Sequence, residues 1–160
     1  MTDDRDLRSP ALRDAHTELA RAAFTGCVDR FGTAPRQAAG ARYESGFAYY
    51  TRASFGALAY LELEALLYDE QGDAGRGRYL GRGGGAVVGS GIMAGTSWLM
   101  RPLSEMNGLV ASFEANAFPF ALNINWWDDS GALGSFVGGG LSIGAGIAGG
   151  SGMFTAPAPR

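Results

Sequence analysis

At 160 residues the chain is long enough for one domain with a real core, because a domain of this size buries roughly two-thirds of the surface its unfolded chain exposes. Its 13 basic residues, all arginine, stand against 16 acidic ones for a formal net charge of -3, so no positive excess exists to neutralise a phosphate backbone, and nucleic acid is not an expected partner. The absence of lysine removes Schiff-base chemistry and the P-loop lysine, and the single cysteine, Cys27, and single histidine, His16, can build neither a disulfide framework nor a Cys/His zinc site within one chain.

The stretch Met1 to Arg8 is charged and lacks the apolar core of a signal peptide, and no run of about 18 apolar residues occurs anywhere. The sequence as given therefore reads as cytoplasmic, or as secreted if a leader was removed or another export route is used. Residues 9 to 31 predict a helix, with Ser9 as N-cap, Pro10 at the first helical position and Gly32 after its end. Leu12, Ala15, Leu19, Ala23, Cys27 and Phe31 recur at three- and four-residue steps and are expected to form its buried stripe. The arm's charges balance, which favours packing on its own barrel or on another copy over a membrane surface. Thr33 to Gly40 reads as a linker. The expected division is 1-40 helical arm and linker, 41-154 glycine-rich β-barrel and 155-160 tail.

From Ala41 onward, short apolar or alternating runs broken by glycine and Asp/Ser/Gly clusters predict consecutive strands. In Ala59 to Tyr68, the residues Leu61, Leu63, Ala65 and Leu67 face one way, while Tyr60, Glu62, Glu64 and Tyr68 face the other. Phe118 to Trp127 reads as one strand, with Phe120, Leu122, Ile124 and Trp126 on its core side. The segment Tyr68-Asp69-Glu70-Gln71-Gly72-Asp73-Ala74-Gly75 returns 59 residues later as Trp127-Asp128-Asp129-Ser130-Gly131-Ala132-Leu133-Gly134. Each copy closes a strand and leads into glycine-loaded sequence. The fold class implied is all-β, an eight-stranded antiparallel closed barrel of two Greek-key halves with an N-terminal α-helical arm. Glycine at such density is costly in strands and calls for close strand crossing and sharp coiling.

No motif carries chemistry by itself. Gly144-Ala145-Gly146-Ile147-Ala148-Gly149 matches GxGxxG but lacks the following helix and acidic residue of a dinucleotide site, and it reads as a glycine-rich strand. The acidic turns Asp69-Glu70-Asp73 and Asp128-Asp129 read as hairpin turns rather than calcium ligands. Glu62 and Glu64 read as a solvent face rather than an acid/base pair. No catalytic residue, metal ligand or cofactor is expected, and a Cys-His or Ser-His pair would have to use His16. Among the aromatics, most are expected in the core, and Trp127, Trp98, Tyr49 and Tyr60 are the candidates for ligand or membrane contact. Trp127, next to Trp126 on one strand, is assigned to the outer face.

The stretch Pro119 to Phe154, PFALNINWWDDSGALGSFVGGGLSIGAGIAGGSGMF, resembles the C-terminal half of the Vap family, the virulence-associated proteins of rhodococci. A weaker likeness runs back through Ala57 to Trp98. The resemblance implies a compact eight-stranded barrel of two Greek keys without a large open pocket, in secreted proteins that act at host endolysosomal compartments without known catalytic residues. The chain departs from that pattern in having a capped helix where secreted members have a disordered arm. The leading expectation is a non-enzymatic barrel that binds a membrane lipid or a protein partner, with pairing of two copies through the arm as a further option. The alternative is a cofactor-free cyclase of actinobacterial polyketide biosynthesis, which would fold an apolar small molecule by shape and proximity. A lumen of about 300 Å³ or more separates the second from the first.

Overall fold

The computed structural model describes residues 10–31, 46–57, 60–68, 77–142 and 144–156. Helix α1 (Pro10–Phe31) precedes eight strands: β1 (Phe47–Ala57), β2 (Leu61–Tyr68), β3 (Gly77–Gly85), β4 (Gly89–Leu99), β5 (Val110–Phe118), β6 (Ala121–Asp128), β7 (Gly131–Ser142) and β8 (Gly146–Thr155). A one-turn helix, α2 (Leu103–Met106), joins the fourth strand to the fifth. All pairings are antiparallel, and the order β1-β2-β3-β8-β5-β6-β7-β4 closes on itself as a barrel. Each half has its fourth strand beside its first, β4-β1-β2-β3 and β8-β5-β6-β7, which is the strand order of a Greek key.

Period-two alternation places the core. Leu61, Leu63, Ala65 and Leu67 point inward from β2 while Glu62 and Glu64 face outward. Leu122, Ile124 and Trp126 do the same from β6. Phe120 does not join them: it sits in the two-residue turn between β5 and β6 and is 74% exposed. The expected single strand from Phe118 is thus a hairpin, because the Pro119 ring supplies no N–H for a ladder and suits a turn. The barrel is closed at one end by Leu103 and Met106 of α2, both buried, with Leu103 N–H donating to the Tyr49 hydroxyl at 3.0 Å. At the other end, the β3–β4 connection, with buried Val87, bridges the β7–β8 connection through Val88 and Ala145.

The two glycine runs are the strands along which the halves meet. Seam β3–β8 pairs Gly81 with Gly152 and Gly83 with Gly150, and seam β4–β7 pairs Gly95 with Gly138. A Cβ on Gly152 would collide with the Leu80 carbonyl oxygen, and one on Gly95 with that of Val137. Side chains are absent there because the neighbouring backbone occupies their place.

Helix α1 packs on the outside of the barrel over β4, β6 and β7. Its buried face differs from the expected stripe: Ala20 and Phe24 are buried against Trp98 and Ala132, while Leu19 is 54% exposed and Ala15 is exposed. Phe24 carries more apolar area than Leu19, and its burial removes more of it from water, which sets the rotation of the helix. The side chains of His16 and Cys27, the linker and the acidic turn after Tyr68 lie outside the described residues.

Candidate functional site

The interior is filled. Tyr79 stands at its centre, with ring centroids 4.7 Å from Phe154, 5.6 Å from Trp126 and 6.0 Å from Phe113. Its hydroxyl donates to the Ala111 carbonyl at 2.8 Å, and burial raises its pKa well above the ordinary phenol value. Gly81 and Gly138 leave room for these rings, since a Cβ on Gly81 would strike Phe113 and Tyr79 and one on Gly138 would strike Phe136.

Hollows occur on the outer surface instead. An open groove of about 2140 Å³ crosses the face formed by β7, β4, β1, β2, β3 and β8, too broad for the enclosed pocket of about 300–1,000 Å³ typical of a small-molecule site. The register runs one row of side chains straight across it: Leu141, Ile92, Ser54, Glu64, Leu80, Met153 and Val110. Two apolar shoulders result. Phe120 joins Ile92 and Leu141 on one side of the groove, while Leu80, Met153 and Val110 form the other. Between and beside them lie charges in pairs: Arg78 binds Glu64 at 2.6 Å and Arg82 approaches Glu62 at 3.3 Å. Glu62 and Glu64 thus serve cross-strand ion pairs on an exposed face.

The four aromatic candidates are not brought together. Trp98 is only 7% exposed, held beneath Phe24 of α1, and is not available to a ligand. Tyr49 is half-buried, its hydroxyl engaged by α2. Trp127 faces outward but is half-buried, and a β-bulge separates it from Trp126. Tyr60 is exposed and lines a second hollow of about 550 Å³ with Glu62, Val88 and Ser90. Phe47 is also exposed. The shoulders carry no motif, because their residues are ordinary apolar side chains scattered over five strands and the β5–β6 turn. The one local signal was Leu80, which shares a strand face with Arg78 and Arg82.

Among the described residues no cluster of three or more His, Cys, Asp or Glu could hold a metal, and no helix is long and apolar enough to cross a membrane. In the turn Asp128 to Gly131, the Asp128 carboxylate accepts from Ser130 N–H at 2.8 Å and from its hydroxyl at 2.5 Å, with Gly131 at positive φ. That carboxylate is used by its own turn.

A sequence profile described as Rhodococcus equi virulence-associated protein matches residues 48–155, the span of the barrel. The chain belongs to this family. VapD, a virulence-associated protein from the intracellular pathogen Rhodococcus equi, superposes with a TM-score of 0.59 at 27% identity, over 68% of this chain and 97% of VapD. VapB from the same organism gives 0.55 at 24% identity, over 70% of this chain and 99% of VapB, a likeness of fold. No curated protein matches the chain. In this member of the virulence-associated family the barrel is therefore the shared part, and the matched span begins after α1.

Proposed function

We propose that this virulence-associated family protein is a non-enzymatic barrel that works by binding a membrane lipid or a protein partner through its outer surface. The observation that carries the reading is the contrast between a lumen packed with aromatic rings and an outer groove bordered by exposed aliphatic side chains. Ile92, Leu141 and Phe120 lie close together at 65%, 79% and 74% exposure, and a contiguous apolar patch on a soluble surface marks an interaction site more often than it marks chance. The cyclase alternative needs a hollow where Tyr79, Trp126 and Phe154 touch one another.

The test compares the wild-type chain with an Ile92→Asp/Leu141→Asp double variant, in flotation with lipid vesicles and in chemical cross-linking to membrane and soluble proteins of a host-cell lysate. Both residues are solvent-exposed, so the variant keeps the wild-type melting curve and loses binding at least tenfold. Undiminished binding by the variant in both assays would overturn the reading.

A further inference from the structure

By strand order, β2, β3 and β8 of one half correspond to β6, β7 and β4 of the other. Glu64, Leu80 and Met153 form a row in one half where Asn123, Val137 and Thr96 form it in the other. The next row, Leu66, Arg78 and Thr155, parallels Asn125, Ser135 and Trp98. The second-half face carries α1, and Thr96, Asn125, Ser135 and Trp98 are all buried there although they point away from the lumen. Among the described residues no helix covers the equivalent first-half face: Leu80 and Met153 are 46% and 45% exposed, on one shoulder of the open groove. The same strand geometry thus seats a helix on one side of the barrel and offers an empty seat on the other.

Helix α1 itself has a second apolar side. Ala15, Leu19 and Ala22 face away from the barrel, flanked by exposed Asp14 and Glu18, the latter bound to Arg21 at 2.9 Å. The groove carries Arg52, Arg78 and Arg82 against Glu62 and Glu64, an excess of positive charge that complements the acidic flank of that helix face.

We propose that the outer side of α1 from one copy docks in the β2–β3–β8 groove of a second copy, with Leu19 against Leu80 and Met153. The contact is heterologous, because helix and groove belong to the two opposite halves of the barrel, and it propagates head to tail rather than closing as a two-fold dimer. The proposal rests on the reading that the outer surface is the working surface, but it uses a different shoulder from the one formed by Ile92, Leu141 and Phe120.

The test is sedimentation velocity of the full chain over a concentration series. The wild type gives species that grow beyond dimer as concentration rises. Leu19→Arg, which sets a cation against the arginine-rich groove, and Leu80→Asp, which sets an acid against Asp14 and Glu18, each weaken association at least tenfold while leaving the melting curve in place. An equimolar mixture of the two variants restores association, since Leu19 still meets Leu80 in one of its two contacts and the new arginine faces the new aspartate in the other. A wild-type chain that stays monomeric throughout, association unaffected by either change, or no dimer in the mixture would overturn the proposal. Vesicle and protein binding by the Leu19→Arg variant, whose change lies outside the groove, remains at the wild-type level, which separates a failure here from a failure of the proposed function.

Discussion

Two adjacent tryptophans show how much one residue of register decides. Trp126 is fully buried, its ring 5.5 Å from Phe154 and 5.6 Å from Tyr79, so Trp126→Ala removes the largest side chain of the core and should cost about 3–5 kcal/mol. Trp127, across the bulge and half-buried on the outer side, should cost about 1–2 kcal/mol when truncated. Chemical denaturation of both variants measures the gap, and equal losses would mean that the outer ring is packed as firmly as the inner one. Tyr79 adds a pH dependence. Its folded pKa is raised by burial above the unfolded value of about 10, so the folded chain holds the proton that the unfolded chain releases. The stabilisation is therefore complete below about pH 10 and is lost as the pH climbs beyond it toward the folded value. With no lysine in the chain, tyrosines dominate that range. Tyr79→Phe should cost about 1–3 kcal/mol at neutral pH through the lost bond to Ala111, and should flatten the decline in stability above pH ~10 that urea melts of the wild type record.

At the scale of single elements, strand β3 separates two uses of glycine within two positions. A Cβ on Gly83 would run into the backbone carbonyl of Gly149 across the seam, whereas one on Gly84 meets nothing within 4 Å. Gly83→Ala must push β3 and β8 apart and should destabilise by about 2–3 kcal/mol, within the range for overpacking. Gly84→Ala should be neutral or stabilising by about 0.4–1 kcal/mol, because it only restricts the unfolded chain. Thermal melts of the two variants should therefore move in opposite directions, or at least differ by several degrees. The helix teaches the complementary lesson. Its ends were marked by Pro10 and the glycine after Phe31, but alanine is the commonest of its apolar residues, and these lie on more than one side. Periodicity within α1 alone favoured the stripe through Ala15 and Leu19, and the aromatic Trp98 and the small Ala132 on the barrel selected the side with Ala20 and Phe24 instead.

For the whole molecule, the repeat of about 59 residues and the family pattern after Pro119 were enough to anticipate a closed barrel of two similar halves, and alternation alone assigned the inward residues of β2 and β6. Those features are local or nearest-neighbour properties of the chain, so the sequence carries them directly. Composition likewise bore on chemistry without any coordinates, since one histidine, one cysteine and no lysine limit what any fold could assemble. Only the tertiary structure decided that the glycine runs are the seams between the halves, that Trp98 lies beneath a helix, and that Ile92, Leu141 and Phe120 converge on one groove. Such placements depend on which strands become neighbours after closure and on how far each is shifted along the next, and no run of residues in β4, β7 or the β5–β6 turn encodes its partner.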